Sequence, residues 1–208
     1  EYCAAEITQK VLMPRDKISQ ELATIAHDTD FNLREMREAS ALTDAVSVIR
    51  FSALDKREDI TDALKPLVED LARKGIEGVW DSDHGRFRDS LLQKQVAYYQ
   101  KERLKKMKKA LVGHCDHSIQ GQLVRIVEIP SGVTTTDLGT FLATEDNLEI
   151  EGQKLPVADL LITLSQGGML GFRRGSENVL CNEAAKLFDG GGHPYAAGGE
   201  YGMYADFD

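Results

Sequence analysis

Asp189-Gly190-Gly191-Gly192-His193-Pro194-Tyr195-Ala196-Ala197-Gly198-Gly199 is the stretch around which the chain is organised. Five glycines fall between positions 190 and 199, together with one histidine, one proline and two alanines. Glycine tolerates a positive φ and lets a backbone approach another group closely. A run of it can aim several main-chain N–H groups into one small space, as an anion nest requires. His193 then sits where a ring nitrogen could meet the same anion. Pro194 suits the first turn of a helix, where its missing N–H is not needed, and the alanine pair would let that helix pack closely. A Gly-rich loop between a helix and a strand is the plainer alternative.

Upstream lies Phe172-Arg173-Arg174-Gly175-Ser176, an arginine pair at the end of an apolar run. A guanidinium binds two phosphate oxygens at once. On a strand, Arg173 and Arg174 point to opposite faces. The order and spacing of these residues, with Gly190-Gly191-Gly192-His193 and Ala196-Ala197-Gly198-Gly199, resemble the signature of the DHH-associated domain. That is the second domain of DHH-family phosphoesterases, which include RecJ exonucleases and the nanoRNases that degrade short RNA. The resemblance implies a grip on a substrate phosphate. Arg173 would supply the guanidinium, Gly190, Gly191 and Gly192 main-chain donors, His193 a ring N–H, and Ser176 an extra hydroxyl.

The chain has 208 residues, enough for one large domain or two small ones, and its 42% apolar content is enough for a core. A net charge of −9 argues against general attraction to nucleic acid, though not against a local basic groove. Cys3, Cys115 and Cys181 are too few and too scattered for a disulfide framework, which points to a reducing, cytoplasmic setting. No apolar run has the length of a membrane span. The chain starts at Glu1, and Tyr2-Cys3-Ala4-Ala5-Glu6-Ile7 reads like the middle of a helix, so a longer parent protein is expected.

The first half reads as helices: 3–13, 17–27, 32–50, 55–74 and 86–112. Asp30 would cap the third, and Ser52 with Asp55 has the spacing of a capping box for the fourth. Pro66 implies a kink or a division within that fourth helix. Lys101-Glu102-Arg103-Leu104-Lys105-Lys106-Met107-Lys108-Lys109 carries six positive charges against one. It reads as a solvated face, or as an electrostatic lip for a polyanion. From residue 120 the pattern changes. Residues 122–129 alternate like a strand. Thr135 or Thr136 can cap a short helix. Residues 160–164 and 169–173 read as strands, 182–188 as a helix, and Tyr201–Tyr204 as a last strand.

His27-Asp28-Thr29-Asp30 ends the second helical run. Two carboxylates two residues apart suit a hard cation such as Mg²⁺ or Mn²⁺. They also suit a helix end followed by a cap. The resemblance matches Asp28 to the last metal-binding aspartate of DHH catalytic domains, with Asp30 as the alternative ligand. It gives His27 no metal role. The family's earlier Asp-x-Asp and Asp-His-His motifs are not found before residue 28. Asp81-Ser82-Asp83-His84 is the nearest string, and it reads as a polar turn after Trp80. One carboxylate cannot hold a metal pair. Gly113-His114-Cys115-Asp116-His117 lacks the second ligand cluster that structural zinc needs.

These readings give an α/β chain in three parts. The resemblance makes residues 1–85 the helical C-terminal part of a DHH domain, 86–112 a connecting helix, and 113–208 a small mixed-sheet DHH-associated domain. The resemblance implies a phosphoesterase with two Mn²⁺ (or Mg²⁺) ions in the complete protein, acting on short oligonucleotides. Cyclic dinucleotides, a bisphosphorylated adenosine and polyphosphate are handled by relatives. A homodimer is an allowed assembly, and no membrane partner is expected. A non-catalytic phosphate- or nucleic-acid-binding module is the rival from another class. An editing appendage like that of alanyl-tRNA synthetases is the third.

Overall fold

The computed structural model describes residues 2–31, 33, 35–144, 148–165 and 167–202. The chain divides into two compact units, Glu1–Lys101 and Glu102–Asp208. The division falls inside one helix, so the connecting helix expected over 86–112 contributes to both.

The first unit is helical. Its elements are α1 (Ala4–Leu12), α2 (Lys17–Asp30), α3 (Arg37–Lys56), α4 (Ile60–Lys74), a 3₁₀ turn (Ile76–Gly78), a short hairpin of β1 (Trp80–Asp81) and β2 (Arg86–Phe87), and the start of α5 (Ser90–Val112). Ile25, Ala45, Val48, Leu67, Trp80 and Phe87 belong to one buried cluster. The ring of Trp80 meets Phe87 edge-on at 5.0 Å between centroids, an arrangement that aromatic quadrupoles favour.

Several boundaries differ from the sequence reading, each for a local reason. Helix α2 runs on through Asp30, so Asp28 lies within its last turn. Asp30 is exposed there and does not cap α3, which starts only at Arg37 after Met36. Ser52 and Asp55 lie inside α3, which continues to a left-handed cap at Arg57 (φ 58°). The cap of α4 is Asp59, whose carboxylate accepts from the Asp62 N–H at 3.0 Å. Pro66 sits within α4 without dividing it. Residues 86 and 87 pair as β2 instead of opening a helix, and Asp89 accepts from the N–H groups of Leu91 and Leu92 to start α5. Asp81 to His84 form the polar turn expected: the His84 N–H reaches Asp81 Oδ1 at 3.2 Å.

The second unit is a mixed α/β layer structure. Its strands are β3 (Cys115–Ile119), β4 (Gln122–Ile129), β7 (Leu160–Ser165), β8 (Met169–Arg174), β9 (Gly191–His193) and β10 (Ala196–Glu200), in the order β3-β4-β7-β8-β10-β9. Only β4 and β7 are parallel. Helix α6 (Thr135–Thr144) makes the crossover that parallel neighbours need, with a separate small hairpin of β5 (Glu149–Ile150) and β6 (Gln153–Lys154) after it. Helix α7 (Cys181–Lys186) precedes β9.

Directly opposed residues of neighbouring strands share a face. On one face Val127, Ile129 and Leu161 are buried with Met107 and Leu111 of α5 and Leu138 and Phe141 of α6. On the other, Val124, Leu160, Phe172 and Ala197 are buried with Cys181 and Ala185 of α7. Deep inside, Arg125 is 1% exposed. Its fork holds Asp116 at 2.8 and 2.7 Å and the Pro156 carbonyl at 2.9 Å, which satisfies a charge that could not otherwise be buried.

The glycine stretch does not open a helix at Pro194. It forms the β9–β10 hairpin, with Pro194 and Tyr195 at the bend and His193 opposite Ala196. The reason is steric. A Cβ at Gly190 would run into the Gly198 carbonyl, and one at Gly192 would stand 2.7 Å from the Ala196 oxygen. These glycines let one strand fold closely onto the next. Gly192 also has φ 142°, which disfavours other residues. Strand β10 ends at Glu200. The last strand expected at Tyr201–Tyr204 is thus not found at Tyr201, and Met203 and Tyr204 lie outside the described residues.

Candidate functional site

The register brings the two best candidate side chains onto one face. Arg173 of β8 lies opposite Ala196 of β10, and Ala196 lies opposite His193 of β9. Arg173 and His193 therefore stand on the same side of the sheet, two strand spacings or about 10 Å apart at the backbone. The residue between them carries only a methyl group. One step along the strands, Gly171, Gly198 and Gly191 continue this face. The space where a Cβ of Gly191 would project is open.

Helix α6 positions the guanidinium. Its start is fastened by a reciprocal pair: Thr134 Oγ1 accepts from the Asp137 N–H, and Asp137 Oδ2 accepts from the Thr134 N–H. Thr134, not Thr135 or Thr136, thus fills the capping role. Thr135 Oγ1 meets the buried Thr163 Oγ1 at 2.6 Å. Gly171 lies under the same threonine, where a Cβ would come to 2.6 Å from Thr135 Cγ2. Gly139 in the next turn leaves room for the Arg173 side chain. Arg173 then donates from Nη2 to Thr136 Oγ1 at 2.5 Å and from Nη1 to the Phe172 carbonyl at 3.1 Å.

Among the described residues no carboxylate pairs with Arg173. Burial lowers its pKa from the ordinary value, although an arginine keeps its charge. A half-buried cation held by two neutral oxygens retains N–H capacity and a field that an anion would satisfy. Arg174 is exposed and its N–H bonds the Tyr195 carbonyl, so the pair divides between the two faces as its alternation requires.

His193 is exposed, and its ring stacks on Tyr195 at 5.1 Å with 8° between the planes. Tyr195 carried no distinctive sequence signal, and Thr136 only that of a candidate helix cap. Their roles follow from a hairpin bend and a helix start that only the fold supplies. The three glycine amides do not converge on one point. The Gly190 N–H is engaged with the Ala185 carbonyl at 3.0 Å, and successive amides along β9 alternate in direction. Ser176 lies beyond β8, where its N–H bonds the Asp159 carbonyl, and its hydroxyl is buried with no partner.

In the first unit Asp28 is buried, and its Oδ1 accepts from the N–H groups of Glu35 (2.9 Å) and Met36 (3.3 Å). It holds the segment leading into α3. Asp30 and Asp28 gain no third ligand: the metal-capable group found among the described residues is Cys3, Glu6 and His27. The described residues of this chain therefore do not make up a two-ion site. The basic run of α5 is partly committed to structure. Arg103 pairs with Asp137 at 2.8 Å, Lys105 with Glu102 at 2.7 Å, and Lys106 donates to the Ser131 carbonyl at 2.8 Å.

Fold and site together define a two-unit α/β protein with a half-buried cation and an exposed imidazole on one sheet face. No protein-family model matches the chain, and no curated protein matches it. Similar solved structures include a pGpG-specific phosphodiesterase from Vibrio cholerae, 12% identical with a TM-score of 0.45, over 88% of this chain and 62% of that one. An uncharacterized protein from Helicobacter pylori G27 is 16% identical with a TM-score of 0.33, over 96% and 60%. An exopolyphosphatase-related protein from Bacteroides fragilis is 20% identical with a TM-score of 0.35, over 66% and 38%. This chain spans less than two thirds of the length of each. Among the described residues no helix is long and apolar enough to cross a membrane.

Proposed function

We propose that the protein is a phosphoesterase that acts on short oligonucleotides, with the Glu102–Asp208 unit gripping a substrate phosphate between Arg173 and His193. The observation that carries this reading is the register of β8, β10 and β9. It sets a guanidinium that has no carboxylate partner among the described residues and an exposed imidazole on one face, across a single alanine. That spacing admits a phosphoryl group with donors on two sides. Cytoplasmic action and a pair of Mn²⁺ (or Mg²⁺) ions belong to the same proposal. Asp28, or Asp30 in its place, would be one carboxylate among several ligands of the complete protein. A metal pair would polarise the phosphoryl oxygen and activate water.

The test is calorimetric titration of a 5′-phosphorylated dinucleotide into the complete protein. A charge-assisted hydrogen bond is worth about 2 kcal/mol, so Arg173→Ala weakens binding about thirtyfold. His193→Ala weakens it less, and Mn²⁺ binding is unchanged in both. Equal loss of dinucleotide and Mn²⁺ binding would contradict the assigned roles. One observation favours the rival reading of a non-catalytic binding module: Oδ1 of the buried Asp28 is engaged by two main-chain N–H groups. Binding of the dinucleotide with no Mn²⁺-dependent hydrolysis by the complete protein selects that reading.

A further inference from the structure

Cys3, Glu6 and His27 take no part in the phosphate site. Cys3 precedes the first turn of α1, Glu6 lies one turn on, and His27 reaches across from the last turn of α2. The Cys3 sulfur, a Glu6 carboxylate oxygen and a His27 ring nitrogen lie within 4.8 Å of one another. Glu6 Oε2 accepts from the Cys3 N–H at 2.9 Å and faces His27 Nδ1 at 2.7 Å. The His27 ring is braced by Phe31, 4.5 Å away between centroids. Cys3 is 5% exposed, whereas Glu6 and His27 are partly open to solvent.

The Cys3 side chain and the Glu6 carboxylate form a capping box at the start of α1, and Glu6 also pairs with His27. Serine, threonine, aspartate and asparagine are the favoured residues at a helix start, and a thiol is a poor substitute as an acceptor. Thiolate, imidazole and carboxylate from three directions are instead the ligand types of Zn²⁺. Mg²⁺ and Mn²⁺ suit hard oxygen ligands and gain little from a thiolate. Around tetrahedral Zn²⁺ such ligand atoms stand about 3.3–3.6 Å apart. The sulfur already lies within 4.8 Å of both other ligand atoms, and the contact between Glu6 and His27 must open by less than about 1 Å.

We propose that Cys3, Glu6 and His27 form a mononuclear site for a borderline-soft divalent cation, Zn²⁺ by its chemistry, with the fourth position open to solvent. Binding displaces the thiol proton of Cys3 and replaces the contact between Glu6 and His27 with two bonds to the ion. The site ties α1 to α2 and is independent of the phosphate-binding proposal.

The test uses Co²⁺ as a spectroscopic probe on the protein carrying Cys115→Ser, which removes the exposed thiol. One equivalent of Co²⁺ gives a thiolate-to-cobalt charge-transfer band and tetrahedral visible bands, and Zn²⁺ displaces it. Cys3→Ser abolishes the charge-transfer band while keeping a good helix cap. His27→Gln preserves a hydrogen-bonding partner for Glu6 and weakens Zn²⁺ binding by more than about tenfold, since even outer-shell changes at metal sites cost that much. Absence of the band in the parent protein overturns the proposal. So does a band that survives Cys3→Ser, or equal Zn²⁺ affinity in His27→Gln and parent.

Discussion

Alanine substitution separates the three adjacent glycines at 190, 191 and 192. A methyl at Gly190 would collide with the Gly198 carbonyl and stand 2.6 Å from the Gly199 Cα. Both are backbone atoms of β10, so no side chain can swing aside. Relief requires moving a paired strand by roughly 1 Å, at the upper end of the usual overpacking cost, about 3 kcal/mol. In a cooperative unit of about a hundred residues this lowers Tm by roughly 12–24 °C. Gly192→Ala is destabilised as well, by its φ of 142° and by Ala196 O at 2.7 Å. Gly191→Ala meets open space, and its stability stays within about 0.5 kcal/mol of the parent. Its methyl, however, lies on the face shared by Arg173 and His193, so dinucleotide affinity falls while Tm holds. Circular-dichroism melts of the three variants, with dinucleotide titration of the Gly191 variant, read these outcomes. Equal loss of Tm at 190 and 191, or unchanged affinity at 191, would refute the assignment of two glycines to packing and one to the ligand face.

Arg125 and Asp116 should respond unequally. Asp116→Ala strands a guanidinium that is 1% exposed and costs about 3–5 kcal/mol in urea unfolding, whereas Arg125→Met leaves a carboxylate that reaches water and costs about 1–2 kcal/mol. Asp28→Ala removes the acceptor for two N–H groups and costs about 2 kcal/mol, while Asp28→Asn keeps the oxygen and costs less; equal costs would remove the joint-closing role. Glu6 has its pKa held down first by the hydrogen bond with His27 and then by the Cys3 N–H. A depressed carboxyl stabilises the fold above its unfolded pKa and loses that contribution as pH falls through the folded one. Glu6→Gln should therefore flatten the decline of the urea midpoint below about pH 4, and parallel declines would contradict this.

Periodicity located most helices and the strands β4, β7 and β8, because each carries an apolar stripe or alternation that burial demands. Boundaries failed where two polar signals competed. Asp30 and Asp55 look like caps, but each stands at or near the end of a helix already under way, and the next helices are capped later, at Met36 and Asp59. The glycine stretch was legible as a place of close approach, and Gly190 and Gly192 bear that out. It was not legible as a hairpin, since Pro194 suits a bend as well as a helix start. The pairing of Arg173 with His193 across Ala196 depends on register, and its β8–β10 part joins residues 23 or more positions apart. Thr136 and Tyr195, which hold and stack on the two site groups, had no local pattern to reveal those contacts.

Gly171 has a consequence reaching beyond its own packing. Helix α6 rests on it through Thr135, and the next residue, Thr136, tethers the Arg173 guanidinium. Even a single added methyl at 171 would act as a shim, raising the first turn of α6 and slackening that tether. The orientation of the cation is therefore gauged by the thickness of a residue two positions upstream, so a substitution at 171 would disable the proposed grip while Arg173 and His193 both stayed intact.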